Sequence, residues 1–396
     1  MHEKKYISIK LFSSATLIIF MLLLSGCWDR SEINDLGLIT ASAYDLAPEG
    51  GLQYSVQILL PSGGGNGGGQ GSSGGQQKKS FVVETAIGLD PGDAENKIQE
   101  KFPRRLFRGH RRVIIIGEEL ARQGLEKMLD SIGRDPQNRL RTNVIVAKGK
   151  KGIDLLQAEY PLERIPTEAM REMMIIGVGL NANIHDLLMA ASGEGVQPIA
   201  VAIEKEEGDQ SFKPTGIAAF RGLKLAGYLD AEETQGYLWI KGKFKNGIIA
   251  TSVPKNEGII RINVNKQSSK IIPKIKGGKP CINVEIKGEG SIYGNSTRLD
   301  LIIPENIQLA QMAIKARIKD QVENTIKAAQ KKAGADIFGF GSTFYQFKPD
   351  EWEKLKNKWP QIFPDIKVNV TTDFTIKTAG MSGVPLYLKE NEVKKK

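Results

Sequence analysis

The stretch Pro304-Glu305-Asn306-Ile307-Gln308-Leu309-Ala310-Gln311-Met312-Ala313-Ile314, running on to Lys331-Lys332-Ala333-Gly334, decides the fold class. Ile307, Ala310, Ile314, Ile318, Val322, Ile326 and Ala329 step by three or four residues, so they form one stripe at the helical period. The spacing predicts a long helix over 304–333 with one buried face. Pro304 suits a first helical turn, where a missing N–H leaves no bond unmade. Lys331 and Lys332 suit the negative end of the helix dipole, and Gly334 suits the left-handed position just beyond it. A helix with one apolar face needs a surface to pack on. Residues 258–264, 270–275, 281–288 and 366–378 read as strands, and a second helix is expected from Pro349 to about Trp359, before Pro360. Residues 255–390 are therefore expected to form an α+β domain, a mainly antiparallel sheet packed with the long helix.

Upstream the pattern changes. Residues 113–116, Val-Ile-Ile-Ile, are an unbroken apolar run of the kind a strand buried on both faces shows. A helix is predicted over 118–131, with Leu120, Leu125, Met128 and Leu129 on one side, and a strand over 142–147. Strands at 36–44, 52–60 and 80–87 and a helix from Gly92 to about Phe102 precede them. This βαβ-like order predicts a mixed α/β sheet in an N-terminal domain, 27–150. The Gly/Ser/Gln-rich tract 62–79 has no apolar side chains to bury and is expected to be a disordered loop inside that domain. It lacks the Gly-Lys-Ser/Thr element of a phosphate-binding loop. From Gly152 the chain reads as short helices (153–158, 166–178, 183–191), an extended piece, and a hairpin of 216–220 with 224–229 around Arg221-Gly222. Asp230 is placed to cap a helix ending near Ile240, with Glu232 and Glu233 in its first turn. These make a middle helical and β-hairpin domain, 151–254. The expected fold class is thus α+β, several successive mixed α/β modules.

The start of the chain carries its own message. Lys4, Lys5 and Lys10 precede an apolar run over 11–24, then Leu24-Ser25-Gly26-Cys27. A basic start, a short apolar segment and small residues before a cut make a secretory signal. Its 14 apolar-region residues fall short of the roughly 20 that a spanning helix needs. Leu24, Ser25 and Gly26 before Cys27 resemble a bacterial lipobox, which implies diacylglycerol on the Cys27 thiol and cleavage just before it, residues 1–26 being the signal peptide. Two acyl chains hold a soluble body to a bilayer durably. Trp28 suits either the headgroup level or packing onto the first domain. The 396 residues carry a net charge of +10, and loss of 1–26 removes three lysines and one glutamate, leaving about +8. An exported basic protein on a bilayer faces anionic lipid or acidic wall polymer. No nucleic-acid recognition motif is present.

Of the two cysteines, an acylated Cys27 leaves Cys281 without a partner, so no intrachain disulfide is expected and Cys281 reads as a buried, inert thiol. His110 and His185 have no Cys or His at ligand spacing, so no metal site is expected. The carboxylate pairs Glu118-Glu119, Glu206-Glu207 and Glu232-Glu233 sit at helix starts or turns, and no nucleophile elbow or Ser-x-x-Lys element stands in a fitting context. No catalytic residue, cofactor or enzymatic activity is expected. The basic turn 104–112, with Arg108 and His110, reads either as a contact for an acidic partner or headgroup, or as a solvated turn with Leu106 and Phe107 packed inward.

Cys27-Trp28-Asp29-Arg30-Ser31-Glu32-Ile33-Asn34-Asp35 resembles the mature start of the Ger(x)C family of spore-germination lipoproteins, the C subunits of germinant receptors. Arg105-Leu106-Phe107-Arg108-Gly109-His110, the run 113–116, Gly117-Glu118-Glu119-Leu120-Ala121, Gly124-Leu125, Arg134-Asp135 and 144–149 are similar to that family in order and spacing. So are Gln330, Asp336-Ile337-Phe338-Gly339-Phe340 and 352–359. The similarity covers nearly all of the mature chain; the glycine-rich expansion at 62–79 departs from it. The resemblance implies a non-enzymatic subunit of three successive α/β modules, lipid-anchored on the outer face of the inner membrane of a bacterial endospore. Its implied partners are a polytopic B subunit and an A subunit. Its implied task is to help assemble the receptor or pass on germinant binding, leading to ion and dipicolinate release. The alternative from another class is a solute-binding lipoprotein of a membrane importer, which needs two similar α/β lobes joined by crossing strands. A wall-directed hydrolase would need a catalytic cluster.

Overall fold

The computed structural model describes residues 32–60, 80–160, 163–206, 211–245, 247–253 and 257–379, with isolated positions 12, 14, 16 and 393. The lipobox residues Leu24, Ser25, Gly26 and Cys27, together with Trp28 and the tract 62–79, lie outside the described residues.

Strands β1 (Leu36–Leu46), β2 (Leu52–Leu59) and β3 (Phe81–Gly88) lead to helix α1 (Pro91–Gln99) and the short β4 (Arg105–Phe107). Then follow β5 (Val113–Gly117), α2 (Glu118–Gln123), α3 (Glu126–Arg134), β6 (Asn143–Ala147), α4 (Gly152–Leu156), α5 (Pro166–Met173), α6 (Ile184–Ser192), β7 (Ile199–Lys205), β8 (Phe212–Arg221) and β9 (Lys224–Leu229). They build a nine-stranded sheet in the order β3-β2-β1-β5-β6-β7-β8-β9, with β4 beside the start of β1. The central strands β1, β5, β6 and β7 are parallel, and hairpins extend the sheet at both edges. Parallel neighbours require crossovers, here supplied by the helices, which bury the strands on both faces. Val113, Ile114, Ile115 and Ile116 are fully buried for that reason. Ile114 and Ile116 pack with the apolar residues of α1, α2, α3 and α6, whereas Val113 and Ile115 face α4 and α5.

Helix α7 (Ala231–Ile240) opens the second half, and Asp230 and Glu233 cap it reciprocally through their side chains and backbone amides (2.8 and 2.9 Å). Strands β10 (Ile248–Ser252), β11 (Ile259–Lys276) and β12 (Lys279–Asn295) follow, then α8 (Pro304–Ala328), α9 (Phe340–Phe347), α10 (Pro349–Leu355), α11 (Trp359–Ile362) and β13 (Lys367–Thr378). The second sheet runs β10-β11-β12-β13, antiparallel except for the parallel pair β12–β13, whose crossover is α8 with α9 to α11. Helix α8 lays the expected stripe on this sheet: Ala310, Ile314, Ile318, Val322 and Ile326 are buried. Each buried isoleucine there contributes about 1.5–3 kcal/mol. The α-helical bonding ends at Ala328; residues 329–333 continue as a π turn, closed by Gly334 at φ +58°.

In several places the structure departs from the pattern along the chain. The division expected near Lys150 falls inside the first sheet, because β6 and β7 on either side of it are hydrogen-bonded neighbours. The division expected near Pro254, which is itself outside the described residues, separates β10 from β11, and these also pair. The sequence shows loops at both places, but strand pairing joins what loops appear to divide. The pieces 258–264 and 270–275 are one 18-residue strand, β11; the polar run between them masks it because much of that strand is exposed. Helix α9 went unread because Gly339 and Gly341 break its pattern, and the helix expected over 349–359 is three short helical segments. One continuous apolar core nevertheless passes from the first sheet through α7 to the second.

Candidate functional site

The basic turn sends two of its arginines into the interior. The Arg108 guanidinium reaches Glu95 at 2.7 Å and Asp135 at 2.5 Å, with its side chain 23% exposed. Arg111 is 2% exposed and donates to Ser42 Oγ (3.1 Å), to the Tyr44 hydroxyl (3.2 Å) and to Asn138 Oδ1. Burial raises the pKa of the Glu95 carboxyl, and Arg108 and Arg111 oppose that shift. Leu106 is buried and Phe107 half-buried. His110 stands exposed with its ring 5.9 Å from that of Phe107. Of the cations grouped in the sequence, the turn presents Arg105 and Arg112 to solvent. Three-residue β4 and the following 3-10 turn cause this, aiming Arg108 and Arg111 inward to join α1, β1 and the α3–β6 connection.

A second polar centre joins the two halves. Asp336 is 2% exposed, and its carboxylate accepts the amides of Gly339 (2.9 Å), Phe340 (3.0 Å) and Gly341 (2.8 Å) and the Trp359 indole N–H (3.0 Å). Burial pushes its pKa up to about 6, even though all four donors favour the ionised form. The turn so formed is bolted to the connection before β7. The Gln197 amide donates to the Asp336 carbonyl (2.8 Å), the Ser342 amide donates to the Gly195 carbonyl (2.9 Å), and the Trp352 indole donates to Glu194. Gly195 has φ +66°, and a Cβ there would stand 2.3 Å from the Gly341 carbonyl carbon. Gly195→Ala is therefore expected to cost about 1–3 kcal/mol in urea unfolding, through strain and overpacking. In the sequence Asp336 stands out only as part of a family-like stretch. The signal that marks it is a lone carboxylate set among Ile337, Phe338 and Phe340.

At the carboxyl ends of β1, β5 and β6, where open α/β sheets hold ligands, lies a crevice of about 580 Å³. Two of its carboxylates are engaged within the chain. Asp45 accepts the Gly152 (2.6 Å) and Ile153 (3.0 Å) amides, and Glu118 accepts the Gly149 amide (2.5 Å) and the Tyr228 hydroxyl (2.9 Å). Burial raises the Asp45 pKa against those two amide bonds. His185 is exposed with Nδ1 3.5 Å from Asp186, and Cys281 is free and buried in β12. Among the described residues no three His, Cys, Asp or Glu side chains converge as metal ligands, and no helix is long and apolar enough to cross a membrane.

The profile described as "Spore germination protein N-terminal domain" matches residues 29–205, and that described as "Spore germination B3/ GerAC like, C-terminal" matches 215–380. The Bacillus subtilis protein YfkR, provisionally named for spore germination, is 30% identical over 371 residues, 92% of this chain and 95% of its own length. The chain belongs to the GerAC family of spore germination proteins. Another GerAC-family relative, the spore germination protein KC of Bacillus subtilis, is 26% identical over 95% of this chain and 98% of its own. The crystal structure of the GerBC protein superposes with a TM-score of 0.57 at 22% identity, covering 85% of this chain and 96% of that one, so the α+β fold is shared. The first profile ends with β7 and the second begins within β8, so their boundary lies inside the first sheet.

Proposed function

We propose that this chain is the lipid-anchored, non-catalytic C subunit of a spore germinant receptor. In this reading Cys27 holds it on the outer face of the endospore inner membrane, where it joins A and B subunits and serves receptor assembly or signalling. The observation that carries the reading is whole-length correspondence: two germination-family profiles in succession, and relatives matched over more than nine-tenths of both chains. The lipobox-like Leu24-Ser25-Gly26-Cys27 supports the anchor. Polar centres that are occupied by the chain's own backbone, at Asp45 and Asp336, fit a body built for contact rather than turnover. The importer reading requires two similar lobes, and a nine-stranded mixed sheet beside a four-stranded one does not supply them.

The test is Cys27→Ala in the native host. Nutrient germination is expected to fall to the level of the gene deletion for at least one germinant class, and mass spectrometry of the wild-type mature chain should find diacylglycerol on Cys27. Undiminished germination with every amino acid, sugar and nucleoside germinant would count decisively against the proposal.

A further inference from the structure

We propose that the uncovered length of β11 beside α9 is a docking edge for an extended, acidic segment of a partner protein, whose apolar side chains seat in the adjoining pocket. Strand β10 pairs only with residues 259–263 of β11, and the Val264 amide then closes on the Gly247 carbonyl (2.9 Å). Beyond that point β11 pairs with β12 on one side, and no described strand lies on the other. Such an edge offers a row of backbone donors and acceptors to another extended chain. A pocket of about 590 Å³ opens along it, walled by Ile240, Ile271, Ile272, Pro273 and Phe347, the last 63% exposed. Ser269 Oγ, on the pocket's lining, is buried and bonded to nothing among the described residues. A mostly apolar hollow with an unused polar atom is what an incoming side chain and its backbone can complete. Pro273 agrees with the placement, since proline inside a strand is tolerated where its nitrogen faces an open edge.

Charge selects the occupant. Lys241, Lys243, Lys266, Lys270, Lys274 and Lys276 stand on this edge or in the turn that flanks it, and the lysines that form ion pairs among the described residues lie elsewhere. Lys241 is half-buried on the pocket lining and donates to the Phe338 carbonyl (3.1 Å); burial and then Lys243 lower its pKa, and Asp336 opposes them. On the adjacent β12 the carboxylates are Glu285, opposite Lys270, and Glu289, opposite Lys266 and 3.7 Å from Lys377, so Lys241, Lys243, Lys274 and Lys276 are the cations of this edge with no carboxylate across from them on β12. Edge lysines repel a second copy of the same edge and reject basic strands, and the same field draws in a segment bearing Asp and Glu.

The test uses the purified full-length chain in detergent and a blocked, labelled octapeptide alternating glutamate with valine. Saturable binding is expected, with backbone amides among 270–272 and 274–276 gaining hydrogen-exchange protection. The double variant Lys270→Glu/Lys274→Glu, altered only at exposed positions, should weaken binding about tenfold or more, as should raising salt from about 50 to about 300 mM. Phe347→Ala should weaken it at unchanged salt dependence. Equal binding of the lysine–valine counterpart, no effect of the double variant, or protection confined to another surface overturns the proposal. So does displacement of the peptide by short-chain phosphatidylglycerol with no edge protection, which would make the lysines a headgroup site. The peptide assay reads this edge alone, so its outcome is separate from the germination phenotype of Cys27→Ala.

Discussion

Asp336→Ala is expected to remove about 4 kcal/mol of stability, because three buried amides and the Trp359 indole lose their shared acceptor. Urea unfolding should show a lower midpoint, and hydrogen exchange should show faster opening of 336–342 and of 194–197 together, since the Gln197 and Ser342 amides tie the two segments. A variant that loses less than about 1 kcal/mol would mean that the carboxylate does not organise this joint. Asp336→Asn keeps the shape but presents an amide N–H to one of the donors, and should cost about 2 kcal/mol.

The pH dependence of that penalty has a definite sign. The folded pKa of Asp336, about 6, lies above its ordinary value of 3.8, so the folded protein holds this proton more tightly than the unfolded chain. The stabilisation is present in full below about pH 4 and is lost as pH rises through about 6, roughly 3 kcal/mol over the window. The gap between wild type and Asp336→Asn should therefore be wider at about pH 4.5 than at about pH 7.5. A gap that stays constant or widens with pH would show that the folded carboxylate is ionised throughout this range.

Arg108→Ala should cost about 3 kcal/mol, because it leaves the partly buried carboxylates of Glu95 and Asp135, with side chains 16% and 20% exposed, without their counter-ion. The loss should shrink when Glu95→Gln and Asp135→Asn are already present, since no stranded charge then remains. An Arg108→Ala protein that unfolds at the wild-type urea concentration would return this arginine to the surface role first considered for it. Arg108 and Arg111 thus illustrate how a cluster of cations in sequence can be divided by folding. Two of them turn inward to close the N-terminal half, while Arg105 and Arg112 remain at the surface.

Local signals accounted for much of the architecture. The stripe from Ala310 to Ile326, the run 113–116, the Asp230 cap and the Arg221-Gly222 hairpin each depend on contacts within a few residues, so their pattern is written along the chain. The same holds for the order of family-like stretches that pointed to the spore-germination family. What the chain alone did not disclose are relations between distant segments. The β6–β7 pairing joins residues on either side of an expected boundary, Asp336 binds Trp359 and meets the connection before β7, and β11 emerges as one long strand that no described strand covers on its outer side beyond Asn263. These depend on which surfaces meet once helices and sheets have formed. Pairing energy between remote strands and the burial of one carboxylate leave no periodic trace in the sequence; only packing in three dimensions decides them.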